Sequence, residues 1–176
     1  MAVGRRIRRG YLAAWLLLVA AVVVPLVVRT LTQATGPAVG VVGINGRTET
    51  ITLREMKSLP TLVRRGVYQN QYGNWRDEGV YAGVRLVDLI GADARYETIR
   101  VVAGDGYAVT IERVRVEDPD FPMVLAYAFD GIEVPGWSDG FRIAVLPAGG
   151  RVGNEAYGVE SAGSYWVKNV DRIVLQ

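Results

Sequence analysis

The chain has 176 residues, half of them apolar, which suffices for one compact domain and an appendage. It contains neither cysteine nor histidine, so disulfides, protein thiolate ligands, histidine-ligated metal centres and Ser-His-Asp catalysis are excluded within this chain. All 18 acidic residues lie at Glu49 or later, whereas five of the 20 basic residues precede position 30. The remainder has 15 basic and 18 acidic residues, a net charge of −3, which argues against nucleic-acid binding.

An apolar run from Tyr11 to Val28 predicts a membrane-spanning anchor. Its 18 uncharged residues lie between Arg9 and Arg29, and at about 1.5 Å per residue they span roughly 27 Å, close to the hydrocarbon thickness of a bilayer. Four arginines precede the run, which places the N-terminus in the cytoplasm. The alternative is a cleaved signal peptide, although no clean cleavage site follows. We therefore assign residues 1–30 to a cytoplasmic basic tip and a single-pass anchor in the cell membrane.

Residues 31–38 are interpreted as a linker, and an extracytoplasmic domain is expected over residues 39–176. Three of the Asx-Gly pairs in this domain, Asn45-Gly46, Asp105-Gly106 and Asp130-Gly131, predict tight hairpin turns, because these residues accept positive φ angles. The predicted hairpins join Val39–Ile44 to Thr48–Leu53, Thr98–Ala103 to Tyr107–Ile111, and Val124–Phe129 to Ile132–Val134.

Helical patterns in the domain are short and few. They are predicted over Leu53–Leu59, Val84–Ile90 and Glu112–Val116, and two late strands are predicted over Phe141–Leu146 and Tyr165–Leu175. Hairpins interspersed with short helices, without regular βαβ alternation, indicate an α+β fold dominated by antiparallel strands.

The segment from Arg64 to Tyr81 is dense in amides, aromatic rings and guanidinium groups. This mixture suits a planar, polar, anionic ligand, with stacking on the rings and bidentate donation from arginine. The alternative is a long surface loop whose aromatic side chains pack on the sheet. The residues alone leave both interpretations open.

Six segments, in this order, resemble the sulfite-oxidase-type molybdopterin-binding domain family of oxidoreductases. They are Val41–Gly46 with Ile51–Pro60, Tyr81–Ile90, Ala103–Tyr107, Leu125–Tyr127 with Asp130-Gly131, Phe141–Pro147 and Trp166–Ile173. The resemblance runs from about Val39 to the C-terminus. It implies a mostly antiparallel β domain of that type.

The resemblance also implies a cofactor site, from which this chain departs. Family members ligate molybdenum through a cysteine before the motif that begins here at Tyr81, which points to the stretch around Asn70 to Tyr72. Because the chain has no cysteine, ligation of molybdenum by a protein sulfur is excluded. By resemblance, Arg142 and Lys168 would meet a pterin phosphate. The candidate cofactor-binding residues are therefore Asn70, Tyr72, Tyr81, Arg142 and Lys168, with no catalytic residue or metal ligand assigned.

The expected function is that of a membrane-anchored, extracytoplasmic binding or accessory subunit of a membrane redox assembly. The chain itself is expected to be non-catalytic, and its partners to be the membrane and other membrane protein subunits. One alternative is an oxidoreductase that holds molybdopterin without a protein thiolate, through Arg142, Lys168 and the polar segment. A second is a purely structural subunit that presents a sheet edge or an aromatic patch, formed by Trp75, Trp137 and Trp166, to its partners.

Overall fold

The structure, a computed structural model, describes residues 36–91 and 93–176. The predicted anchor (residues 1–30) and residues 31–35 of the predicted linker lie outside these ranges. Among the described residues, no helix has the length and apolar composition that crossing a bilayer requires. Residues Pro37–Gln176 form one unit, and its first strand begins at Ala38.

The described residues form eleven strands, four short α-helices and one 3-10 turn. The strands are β1 (Ala38–Val42), β2 (Thr48–Thr52), β3 (Thr61–Gln69), β4 (Trp75–Arg85), β5 (Thr98–Ala103), β6 (Ala108–Glu112), β7 (Met123–Phe129), β8 (Ile132–Glu133), β9 (Arg142–Val145), β10 (Arg151–Val152) and β11 (Val170–Leu175). The helices are α1 (Leu53–Met56), α2 (Leu86–Ile90), α3 (Arg113–Val116) and α4 (Asn154–Tyr157), and the 3-10 turn spans Ala162–Tyr165.

The strands are arranged in two sheets. The first has the order β2-β1-β11-β5-β6, and the second has the order β10-β3-β4-β7-β8, with β9 also paired to β7. Two pairings, β1 with β11 and β10 with β3, are parallel, and the other pairings within the described residues are antiparallel. The expectation of a mostly antiparallel β domain is confirmed.

One cluster of buried apolar side chains contains residues from both sheets. The first sheet buries alternate residues: Ile99 and Val101 on β5 are buried, and Arg100 between them is exposed. This alternation is the period of two expected for a strand with one solvent-exposed face. In the second sheet, six of the seven residues of β7 are buried, so both faces of this strand are covered.

The three predicted hairpins are confirmed, with two kinds of turn. Asp130 and Gly131 both have positive φ angles, 46° and 82°, as a type I′ turn requires. In the other two turns only the glycine has a positive φ angle. There Oδ1 of Asn45 or Asp105 accepts a hydrogen bond from the backbone N–H two residues ahead, which closes the turn through the side chain.

Several predicted boundaries are corrected. The first helix ends at Met56 rather than Leu59, and a capping box between Thr52 and Glu55 fixes its start. The residues before Leu86 belong to β4, not to a helix. The last strand covers only Val170–Leu175, because Tyr165 ends a 3-10 turn and Asn169 has a φ angle of 49°, which interrupts extended backbone.

The interpretation of Arg64 to Tyr81 as a long loop is wrong. The segment belongs to the hairpin of β3 and β4, whose register runs from Thr61 paired with Val84 to Gln69 paired with Trp75. The turn at its tip contains Asn70–Asn74, with Asn70 N–H and Asn74 C=O hydrogen-bonded at 3.0 Å. Consecutive arginines and exposed apolar residues on these strands hide the alternation that identifies a strand.

Candidate functional site

A cleft of about 360 Å³ contains the main cluster of charged side chains in the described part of the chain. Its lining comes from β4, the end of β7, the segment before β9, the start of β9, and the segment before β11. The lining residues are Asp77, Phe129, Trp137, Ser138, Asp139, Arg142 and Lys168. Residues far apart in sequence thus meet at one end of the second sheet.

Arg142 is the centre of this cluster and is only 1% exposed. Its guanidinium carbon lies 5.7, 5.9 and 5.4 Å from the ring centroids of Tyr68, Tyr81 and Trp166, so aromatic rings surround the cation. Nε of Arg142 has no hydrogen-bond partner among the described residues. The two terminal nitrogens therefore supply its hydrogen bonds.

Two carboxylates accept the shorter of those hydrogen bonds, and the Tyr68 hydroxyl accepts a longer one from Nη2 at 3.5 Å. Arg142 Nη2 donates to Asp77 Oδ2 at 2.5 Å, and Arg142 Nη1 donates to Asp139 Oδ2 at 2.9 Å. Lys168, which is about half exposed, places Nζ 3.0 Å from Asp139 Oδ2 and 3.4 Å from Asp77 Oδ2. Each of the two oxygens thus contacts both cations. The four side chains carry two positive and two negative charges, so the cluster is electrically neutral.

The backbone of β4 is distorted at Asp77. Its φ angle is 51°, which is uncommon for a residue with a side chain, and the register between β3 and β4 shifts between Gly66 and Tyr68. The hydroxyl of Tyr81 donates to the Asp77 carbonyl at 2.6 Å and supports this conformation. The distorted residue carries the carboxylate that binds Arg142, as is typical of strain stored at a functional position.

The electrostatic environment favours the ionised form of Asp77. Burial raises the pKa of this carboxyl, but the hydrogen bond and the charge of Arg142, together with Lys168, outweigh burial and hold the pKa below its ordinary value. Burial raises the pKa of the Tyr68 hydroxyl, and the charge of Asp77 raises it further. At neutral pH the Asp77 carboxylate is thus ionised and the Tyr68 phenol is neutral.

The structure brings three of the five candidate cofactor-binding residues together. Arg142 and Lys168 line the cleft, and Tyr81 is fully buried beneath the Arg142 guanidinium. Asn70 and Tyr72 lie instead in the turn between β3 and β4 and are not among the residues that line the cleft. Asn70 Oδ1 accepts hydrogen bonds from the N–H groups of Tyr72 and Asn74, and the Tyr72 side chain is 77% exposed.

The aromatic patch of Trp75, Trp137 and Trp166 does not form on the surface. Trp137 and Trp166 are buried around Tyr81, and Trp75 alone is exposed, with Arg151 stacked 4.2 Å from its ring centroid. The expectation of an exposed tryptophan patch is therefore wrong. Large apolar side chains, drawn inward by the hydrophobic effect, fill the space behind the charged cluster.

Sequence reasoning missed Asp77 and Asp139 as members of the site, and it identified Tyr68 only as part of the polar segment from Arg64 to Tyr81. Asp139 precedes Arg142 by three residues, which is a weak signal, and Asp77 is 65 residues away from it. No spacing rule connects Asp77 to Arg142. Within residues 36–91 and 93–176 there is also no group of three or more acidic residues that could hold a metal ion.

Comparisons with known proteins support the fold alone. No family model matches the chain, and no curated protein matches it. Among solved structures, the chain is similar to a chain in the crystal structure of the sulfane dehydrogenase SoxCD from Paracoccus pantotrophus, with a TM-score of 0.58 and 14% sequence identity. The match covers 79% of this chain and 38% of that chain, so this protein spans well under half the length of its structural neighbour. The chain shares its fold with part of that dehydrogenase.

Proposed function

We propose that this protein is a membrane-anchored, extracytoplasmic domain of the sulfite-oxidase-like fold that serves as a non-catalytic binding or accessory subunit of a membrane redox assembly. The shared fold with a sulfane dehydrogenase supports the redox context by analogy. The lack of cysteine and histidine in the chain supports a non-catalytic role, since the usual proton-transfer group and any protein thiolate are missing.

The neutral cluster at Arg142 is the observation that carries this proposal. A pterin phosphate would need donors with uncompensated positive charge. Here Nη2 of Arg142 donates to Asp77 Oδ2 and Nη1 donates to Asp139 Oδ2. Lys168 Nζ contacts the same two carboxylate oxygens. In this arrangement the residues do not fit molybdopterin, because its phosphate would face two carboxylates on the cations meant to hold it.

The sequence supports the membrane anchor, and the anchor in turn supports membrane partners. The apolar run Tyr11–Val28 would hold the domain at the membrane surface, where other membrane subunits are within reach. The β3–β4 hairpin is the surface we expect them to contact. It carries four of the eight exposed large apolar residues of the described chain: Val63, Tyr72, Trp75 and Val80.

One observation supports the alternative that the protein is a pterin-binding oxidoreductase. Arg142 and Lys168, both assigned to a pterin phosphate by resemblance, lie in the same cleft. For molybdopterin to bind there, Asp77 and Asp139 would have to leave the two cations or become protonated. The lowered pKa of Asp77 disfavours its protonation at neutral pH.

Cofactor analysis of the purified full chain tests the proposal. The protein would be extracted in mild detergent from membranes of cells that supply molybdopterin, with a molybdoenzyme purified in parallel as the positive control. Molybdenum would be measured by mass spectrometry, and pterin by fluorescence after oxidation. We expect neither molybdenum nor pterin in stoichiometric amount. We also expect other membrane proteins to co-purify with this protein. Stoichiometric molybdenum with oxidoreductase activity would overturn the proposal.

Replacement of the hairpin residues tests the partner surface. A variant with Val63→Thr and Val80→Thr keeps β-branched residues in the strands but removes apolar surface. We expect it to lose co-purifying partners. A matched control, Ile44→Thr with Val114→Thr, changes two exposed apolar residues outside the hairpin and should retain them. Equal retention in both variants would place the contact elsewhere.

A further inference from the structure

The carboxylates of Asp77 and Asp139 contact Arg142 and Lys168 as a bound anion would. One oxygen of each carboxylate faces both cations, at distances from 2.5 to 3.4 Å. Tetrahedral oxyanions bind the same donors in proteins, because several oxygens can each accept from guanidinium and ammonium groups. The two side chains thus occupy the position that an oxyanion would take.

We propose that this cleft is an oxyanion-binding site that the chain's own carboxylates, Asp77 and Asp139, keep closed. The inference rests on the proposed function, whose site it shares, and it names the class of ligand that the native cleft rejects. Phosphate, sulfate and phosphate-bearing ligands are rejected as long as both carboxylates are ionised. The same cations bind such anions once the carboxylates are neutralised.

The burial of Arg142 makes the two carboxylates necessary. A guanidinium that is 1% exposed among three aromatic rings has lost its hydration, and only an anion in contact with it compensates for that loss. Lys168 is half exposed and keeps part of its hydration. Removal of both carboxylates would therefore leave the buried charge of Arg142 uncompensated, which favours the binding of an anion there.

The positive φ angle of Asp77 supports a functional role for its carboxylate. A residue other than glycine with a φ angle of 51° costs free energy, and the hydrogen bond from Tyr81 to the Asp77 carbonyl holds it there. An asparagine tolerates the same conformation at least as well as an aspartate. Asp77→Asn thus removes the charge and retains the side-chain shape and the backbone.

The test compares the full chain with the double variant Asp77→Asn, Asp139→Asn in detergent. Phosphate and sulfate would be titrated by calorimetry, and Tm would be measured against chloride of equal ionic strength. We expect the wild-type protein to show neither binding nor a phosphate-specific rise in Tm. The double variant should bind phosphate with a Kd below about 1 mM. Its Tm should rise by about 4 °C when phosphate is at ten times Kd.

Two controls separate the cleft from general charge effects. The double variant Glu78→Gln, Asp88→Asn removes two carboxylates that pair with exposed arginines, so it changes net charge equally and should gain no phosphate binding. Addition of Lys168→Met to the Asp77→Asn, Asp139→Asn variant should weaken the acquired binding at least tenfold. Circular dichroism would verify that each variant is folded.

Three outcomes would overturn the proposal. They are phosphate binding by the wild-type protein, a folded double variant without binding, and acquired binding that survives Lys168→Met unchanged. If the double variant unfolds, phosphate should restore its fold, and failure to do so counts against the proposal too. Molybdenum in the wild-type protein would refute the accessory function, whereas anion binding by the variants decides the closed site, so the two proposals fail separately.

Discussion

Arg142 is almost completely buried, and its Nη2 atom lies 2.5 Å from Oδ2 of Asp77, a residue that is 65 positions away in sequence and has a positive φ angle. A buried charge needs a partner within contact distance, and here the partner comes from a distorted strand of the same sheet. The pair joins β4 to the start of β9, which are separated in the sheet by β7. The ion pair therefore links two strands of the second sheet that are not hydrogen-bonded to each other.

Loss of the Arg142 side chain should destabilise the domain strongly. Arg142→Met leaves Asp77 and Asp139 with the half-exposed Lys168 as their remaining cation in the cluster, and we expect the free energy of unfolding to fall by about 3 kcal/mol. Arg65→Met is the control, because Arg65 and Glu78 form an exposed ion pair that contributes less than about 1 kcal/mol. Urea unfolding of both variants gives the comparison. Similar losses in the two would contradict a structural role for the buried cluster.

Acid should weaken the domain partly through Asp77. The pKa of this carboxyl in the fold lies below its ordinary value of 3.8, so its contribution to stability is present above that value and is lost as pH falls through the folded pKa. We expect the unfolding free energy of the wild-type protein to decline more steeply below about pH 4 than that of Asp77→Asn. Urea unfolding between about pH 2.5 and 7 measures both.

The control for acid sensitivity is Glu49→Gln, since Glu49 is exposed and is not part of the cluster. Its stability should follow the wild-type curve. Parallel curves for wild type and Asp77→Asn would show that Asp77 does not contribute to the acid response.

Two buried tyrosine hydroxyls should differ in their effect on stability. Tyr81 donates to the Asp77 carbonyl at 2.6 Å, so Tyr81→Phe should cost about 1 kcal/mol. The Tyr157 hydroxyl has no partner within hydrogen-bond geometry among the described residues, and burial, opposed by the nearby Arg115, raises the pKa of Tyr157 to about 12. Tyr157→Phe should therefore leave the free energy of unfolding unchanged or increase it. Thermal unfolding ranks the two variants, and the opposite order would refute the assignment.

The close approach of β4 and β7 requires a glycine at position 83. A Cβ atom there would lie 2.4 Å from the carbonyl oxygen of Leu125, which belongs to the backbone of β7 and cannot rotate away. We expect Gly83→Ala to cost more than about 3 kcal/mol, because two central strands must separate. Gly149→Ala, with nothing within 4 Å of its Cβ position, should be nearly neutral. Soluble yield and unfolding free energy report the difference.

The N-terminal segment should hold the protein in the membrane. The full chain is expected to stay in the membrane fraction after alkaline carbonate washing, whereas a variant without residues 1–30 is expected in the soluble fraction. Determination of the N-terminal residue of the mature protein separates the two interpretations. A protein that begins near residue 35 would establish a cleaved signal peptide instead of an anchor.

Local signals predicted much of the fold. The hairpins at Asn45-Gly46, Asp105-Gly106 and Asp130-Gly131 are confirmed because turn chemistry depends on neighbouring residues alone. The β3–β4 hairpin was missed because its turn, around Asn70 and Gly73, lies between strands with mixed polar and apolar faces. Its register bulge places Asp77 in the site, and a bulge cannot be recognised from composition.

The sequence by itself determined the chemistry that this chain lacks and the parts from which it is built. The absence of cysteine and histidine excludes thiolate and imidazole chemistry, and the apolar run and Asx-Gly pairs predict an anchor and hairpins, because these properties depend on residue identity and short spacing. Only the tertiary structure decided the state of Arg142 and Lys168. Their charges are compensated by Asp77 and Asp139, and this depends on distances between remote segments, since electrostatic interactions act through space and not along the chain.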